Sequence, residues 1–209
     1  MLDRYKSYIE LAQHEIEGKD YQIITRLRPS PIAILAPHGG GIEPGTSEIA
    51  HTLAGDRFSL YLFEGLKASG SEDLHLTSTR FDEPHALALV GTAHWALSLH
   101  GCMGLSRKVY LGGRDREHIP MVKAFLKDAG FDASEQNQRF SASSPFNLCN
   151  RGRSGKGLQL ELTKGLRSTF FHELDRRSGR QHPTQYFSTF LIALQQIVSK
   201  IEIEINAIK

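Results

Sequence analysis

The chain has 209 residues, 40% of them hydrophobic, with 25 Lys and Arg against 23 Asp and Glu. It can bury a full core as one domain, residues 1–209, and needs no staples. The net charge of +2 gives no electrostatic case for nucleic acid, and no run approaches the ~18 apolar residues of a membrane span, so neither partner is expected.

The first ten residues, Met1 to Glu10, are charged and lack an apolar stretch, so they form no Sec-type signal and a cytoplasmic protein is expected. Residues 1–20 read as a short helix and a turn, anchored by Tyr5, Tyr8, Ile9 and Leu11. Tyr21 to Leu27 alternates like a strand until Pro29-Ser-Pro31 breaks it. Ile32 to Ala36 is apolar on both faces, the pattern of a buried central strand. Thr46 or Ser47 is placed to cap a helix reaching about Leu53 and closed by Gly55. Phe58 to Phe63 and Asp73 to Thr77 alternate as strands, and Pro84 opens a helix that runs to Gly91.

His94 to Leu99 reads as a strand ending in His100-Gly101, and Lys108 to Leu111 as one ending in Gly112-Gly-Arg114. Asp115 is expected to cap an amphipathic helix with Ile119, Val122, Phe125 and Leu126 inward. Residues 132–156 are polar and irregular, a length of loop that compact domains seldom keep without use. Leu158 to Leu162 alternates strictly; a helix from about Gly165 to Arg177 follows. A last helix, 184–206, carries a broad apolar stripe from Phe187 to Ile201 and is expected to pack on the core of a monomer. Strands alternating with helices imply an α/β fold: a three-layer sandwich with a mixed, mostly parallel sheet flanked by helices.

Two cysteines, Cys102 and Cys149, form neither a Cys-x-x-Cys pair nor a disulfide framework. Ten histidines direct attention to metal and proton chemistry. The densest signal is Pro37-His-Gly-Gly-Gly-Ile-Glu-Pro-Gly, at the end of a buried strand. Strand ends of α/β sheets expose their loops while the strands hold them rigid. Three glycines let the backbone pass close to a ligand. His38 and Glu43 therefore present an imidazole and a carboxylate in one small turn, and His100 ends another strand. Two histidines and one carboxylate make a ligand set for one catalytic Zn2+, with a position left open for water. A further carboxylate must then move the proton. Glu161 is the candidate, because alternation points it away from Leu160 and Leu162. Gln159 is assigned no role; it is taken to share the direction of Glu161 only if the strand bulges.

Arg114, at a strand end, and Arg151 and Arg153, in the long loop, are the candidate substrate-binding cations, since a guanidinium can clamp a carboxylate with two hydrogen bonds. His75 and His94 read as strand histidines, His51 as packing or surface, and His118 as surface. Asp82 and Glu83 suit either a helix start or the orientation of a zinc-bound histidine.

Several strings together resemble the poly-γ-glutamate hydrolase family of phage and bacterial proteins. They are Pro37 to Glu48, Ser78-Thr-Arg-Phe-Asp-Glu-Pro84, Leu99-His-Gly101, Leu111-Gly-Gly-Arg114 and Gly157 to Thr163, spanning about residues 30–170. The resemblance implies a zinc hydrolase with a zinc-carboxypeptidase-like core that cleaves γ-glutamyl amide linkages of poly-γ-glutamate, a capsular polymer. His38, Glu43 and His100 match the family's zinc ligands and Glu161 its general acid/base. The four residues between His38 and Glu43 depart from the His-x-x-Glu of carboxypeptidases proper, and the chain is much shorter than those enzymes. Two other readings stay open: an amidohydrolase of a small N-acyl glutamate-type substrate, and a non-catalytic zinc- or capsule-binding module.

Overall fold

The computed structural model describes residues 3–135 and 140–207. In chain order the regular elements are α1 (Tyr8–His14), β1 (Tyr21–Arg26), β2 (Ile32–Gly40), α2 (Thr46–Ala54), β3 (Ser59–Gly65), α3 (Pro84–Thr92), β4 (Trp95–Cys102), β5 (Lys108–Gly113), α4 (Ile119–Asp128), β6 (Asp132–Glu135), β7 (Gly157–Thr163), α5 (Lys164–Arg167) and α6 (Gln185–Ala207). The strands form one seven-stranded sheet in the order β1-β3-β2-β4-β7-β5-β6. β3, β2, β4 and β7 run parallel; β1 and the β5-β6 pair run against them.

Alternation along the central strands builds two cores. Ile32, Ile34, Leu97, Leu99, Leu158, Leu160 and Leu162 face one cluster, closed by α2, α4 and the stripe of α6. Ala33, Leu35, Tyr61, Phe63 and Ala96 face the other, closed by α1 and α3. This is the three-layer α/β sandwich expected. On the second face the helices cover the β1-β3 side, and loops lie over β4, β7 and β5. No helix among the described residues is long and apolar enough to cross a membrane.

Several local expectations fail for identifiable reasons. Asp73 to Thr77 is not a strand: Ser71–Leu74 is a turn of 3-10 helix and the rest is irregular. Its alternation reflects burial of Leu74 and Leu76 alone, and β3 already has β1 and β2 on its two edges. The stretch 132–156 is not wholly irregular, because β6 pairs with β5 as an edge strand; residues 136–139 of that stretch lie outside the described residues. The helix expected over 165–177 shrinks to the single turn α5, capped by Thr163. Leu166, Phe170, Phe171 and Leu174 have helix-like spacing but serve as buried anchors of successive turns. Gly45, with φ +96°, is the N-cap of α2 in place of Thr46 or Ser47. Asp115 does not cap α4; it accepts from Trp95 Nε1 at 2.7 Å and from His118 Nδ1 at 2.6 Å.

Candidate functional site

The site begins with an irregularity in β2. Its pairing with β3 runs Ala36 to Leu62 and then Gly39 to Glu64, so one extra residue sits in β2 between the two contacts. One extra residue reverses which face the following side chain meets. Ile32, Ile34 and Ala36 face the α2-α4-α6 side; His38 instead lies against Phe81 and His75 on the opposite face. Glycine is required at position 40, where φ is +64° and a Cβ would overlap the Gly65 carbonyl; a Cβ on Gly39 would displace Ser47 Oγ. The turn closes with Glu43 N–H donating to His38 O at 2.8 Å, which folds the carboxylate back over the imidazole.

β4 and β7 need no bulge. Leu97 and Leu99 face one core, so Ser98 and His100 face the other; Gln159 and Glu161 do the same between Leu158, Leu160 and Leu162. His100 and Glu161 are directly paired in register. Gln159 thus shares the face of Glu161 without a bulge, as period-2 geometry demands, and donates from Nε2 to Glu161 Oε1 at 2.9 Å. The expectation that a bulge was needed is corrected. Behind Gln159, Asn147 Nδ2 donates to Gln159 Oε1 at 3.0 Å, and Asn147 Oδ1 accepts from Cys149 N at 3.2 Å. That last bond fixes both amide orientations along the chain.

Four predicted residues meet: His38, Glu43, His100 and Glu161 line one cleft of about 850 Å³. His38 Nδ1 lies 3.0 Å from His100 Nδ1 and 3.3 Å from Glu43 Oε1, and His100 Nδ1 lies 3.7 Å from Glu43 Oε2. His38 Nε2 donates to Leu76 O at 2.8 Å, which leaves Nδ1 as its lone-pair nitrogen, and His100 Nε2 meets Ser98 Oγ at 2.8 Å. Two lone-pair nitrogens in contact beside a carboxylate repel unless a proton or a cation lies among them. Ligand atoms about 2.0–2.1 Å from a tetrahedral zinc stand roughly 3.3 Å apart, so the donor set and its spacing fit that ion. The partners that orient the rings are Leu76 O and Ser98, not Asp82 or Glu83. Glu83 caps α3 through His85 N and Ala86 N, and Asp82 accepts from Tyr8 N.

Electrostatics agree with this donor set. Burial alone would raise the Glu43 pKa, but the two imidazoles and the Gly101 N–H, 2.8 Å from Oε2, outweigh it and hold the carboxyl at about 2. Burial, with His38 nearby, pushes His100 down to about 3, so it is a neutral donor at pH 7. Burial also disfavours charge on His38, but Glu43 overrides it and raises the pKa. A metal entering the cluster therefore competes with a proton on His38.

His75 is the residue that sequence reasoning missed. Its ring lies 4.1 Å from that of His38, and His38, Glu43 and His75 place donor atoms within 4.8 Å of one another. Its Nε2 stands 4.0 Å from Glu43 Oε1, while Nδ1 is held by Asp3 at 2.7 Å. The segment that carries it alternates like a strand but is irregular beyond the 3-10 turn, and no local pattern ties it to His38.

The three predicted arginines are not brought to the cleft. β5 runs antiparallel to β7, with Gly113 opposite Leu158, so Arg114 emerges at the end of the sheet away from His100 and Glu161. Arg153 N donates to Ala93 O, beside the start of β4, at that same far end. Arg151 is tied to Phe146 O and Phe81 O. Among the described residues, the guanidinium that lines the cleft is that of Arg167, with Lys164 nearby. Residues 140–147 of the long loop form the facing wall: Gly113 N donates to Ser141 O, and Phe140 stacks on Tyr110.

The sequence matches the family model described as poly-gamma-glutamate hydrolase over residues 5–193. The UPF0714 protein YndL of Bacillus subtilis strain 168 is 40% identical over 190 residues, 90% of this chain and 75% of YndL. A bacteriophage poly-gamma-glutamate hydrolase superposes with a TM-score of 0.90 at 34% identity, covering 96% of this chain and 98% of that one. A zinc-free structure of YndL superposes equally, with a TM-score of 0.90 at 36% identity over 95% and 98% of the two chains.

Proposed function

This chain belongs to the poly-γ-glutamate hydrolase family, and on that premise we propose that it hydrolyses γ-glutamyl amide bonds at a Zn2+ ion held by His38, Glu43 and His100. The observation that carries this reading is the meeting of the two Nδ1 atoms with Glu43, while Glu161 faces the same cleft from the position paired with His100. A relative known in a zinc-free form supports the choice of metal.

A zinc ion held by these three residues would supply Lewis acidity toward a carbonyl and a water at neutral pH. Glu161 takes the proton of the attacking water and returns it to the departing amine nitrogen. The amide of Gln159 holds that carboxylate in place, and Asn147 holds Gln159. Glu43 stays anionic across the working range, and Leu76 O and Ser98 hold the two imidazoles with Nδ1 inward.

The shape of the site favours a polymer over a small N-acyl glutamate. A second hollow of about 330 Å³ shares Gly41, Pro44, Glu72 and Asp175 with the cleft and extends it past the β2-α2 turn. A pure binding module would have no use for the Glu161 arrangement. The test is hydrolysis of purified poly-γ-glutamate, with chain length followed by size-exclusion chromatography, with and without a chelator and with zinc restored. Chelator-sensitive shortening that zinc restores is expected. Intact polymer alongside cleavage of an N-acyl glutamate would replace this reading with the small-amide one.

A further inference from the structure

Arg167 is a buried cation that the reaction scheme above leaves unused. Its residue surface is 4% exposed. Nε donates to Leu162 O at 3.0 Å, Nη1 to Pro44 O at 2.6 Å and Nη2 to Cys102 O at 3.2 Å. These three carbonyls come from the ends of β7 and β4 and from the turn that carries Glu43, so the guanidinium is fixed relative to the metal cluster. It lies against Gly101, where an added Cβ would stand 2.6 Å from Cζ. A guanidinium has five N–H donors, so two remain after these three bonds, one on each Nη.

Arg180, also deeply buried, differs in its pairing. Arg180 has a carboxylate partner, Glu48, at 2.6 Å. Among the described residues no carboxylate lies within ion-pairing distance of Arg167, and Lys164, the other cation on the cleft wall, is engaged by Asp175 at 2.9 Å. Burial disfavours the charge on Arg167, and the nearby carboxylates Glu43 and Glu161 offset that only in part. The wall also carries the carboxylates Glu72 and Asp175, so an anionic substrate requires a compensating cation there.

We propose that Arg167 is the subsite for the free α-carboxylate of the γ-glutamyl residue at the scissile bond, and that it makes the enzyme selective for acidic chains. A γ-linked glutamate keeps its α-carboxylate as a pendant group, and a guanidinium with one spare N–H on each Nη suits it. The inference rests on the hydrolase reading above.

The experiment compares a γ-glutamyl oligomer with free α-carboxylates to the same oligomer bearing α-carboxamides, using zinc-loaded wild type, Arg167→Gln and Arg167→Lys. Zinc content and melting temperature establish that each variant is folded. Wild type should favour the carboxylate chain by roughly 10- to 100-fold in kcat/KM, the scale of a charge-assisted pair. Arg167→Gln should bring the ratio near unity through loss on the carboxylate chain alone. Arg167→Lys, which keeps the charge for the three carbonyls, should fall between and serves if the Gln variant does not fold. Equal rates on both chains in wild type, or undiminished discrimination in a folded variant, would overturn the proposal. Failure of wild type to cleave either chain counts against the hydrolase reading. The Arg167 subsite is then decided by equilibrium binding of the two oligomers, where equal affinity overturns it.

Discussion

Gln159→Leu isolates what the Asn147-Gln159-Glu161 chain does. Leucine is apolar and of similar bulk, and β7 keeps its register because the backbone ladder to β4 is untouched. The bond removed joins a side-chain amide to a carboxylate at 2.9 Å in a buried setting. Hydrogen bonds to charged groups contribute about 1.5–3 kcal/mol, so if the bond holds Glu161 in its working position kcat should fall roughly 10- to 150-fold. The substitution also strands Asn147 Nδ2, which costs about 1–3 kcal/mol of stability as a buried unpaired donor. The two effects separate in the assay. Steady-state kinetics well below the melting temperature should show the drop in kcat with KM changed by no more than about 3-fold, and zinc stoichiometry should be unchanged, because Gln159 touches no ligand. A folded, zinc-loaded variant whose kcat stays within about two-fold of wild type would refute the argument that Gln159 positions the base.

Glu161→Gln should keep zinc yet lose turnover by at least about 10²-fold, the low end for a general base; measurable hydrolysis near the wild-type rate would remove Glu161 from that role. Gly40→Ala should destabilise by more than about 2 kcal/mol in denaturant melts, because its φ is +64° and its Cβ would stand 2.4 Å from the Gly65 carbonyl oxygen; an unaffected midpoint would mean that the bulge relaxes freely. His118 bridges Asp115 and Glu204, at 2.6 and 2.9 Å. Burial lowers its pKa, but hydrogen bonds to the two carboxylates outweigh that and raise it. A raised folded pKa means that the contribution is full below the ordinary imidazole pKa and is lost as pH rises through the folded value. His118→Gln should therefore lower the melting temperature more at pH 5.5 than at pH 8.5; an equal loss at both pH values would contradict the linkage.

The layer architecture was legible because β2, β4 and β7 announce themselves by apolar composition and by period, and α6 by a stripe with no rival pattern. His38, Glu43, His100 and Glu161, which meet in one cleft, stand out as candidates in the sequence because strand ends and an unexplained strand carboxylate are local signals. Sequence did not reveal what depends on partners. The direction of β5 decides where Arg114 points, and nothing in Lys108 to Gly113 encodes it. The same holds for His75, which joins the site only because the irregular segment after the 3-10 turn folds over the sheet. Arg167 falls inside a helix predicted to be three times too long, and no local pattern singles it out. Gln159 is legible from period 2 alone, which puts it on the face of Glu161 without a bulge.

The most direct test of the metal centre is anomalous diffraction at the zinc edge from zinc-soaked crystals of the intact chain. A single peak is expected between His38 Nδ1, His100 Nδ1 and the Glu43 carboxylate, on the side faced by Glu161, and it should vanish in His38→Ala and His100→Ala. A peak held instead by His38, Glu43 and His75, or zinc retained without His100, would contradict the ligand set on which the proposed chemistry stands.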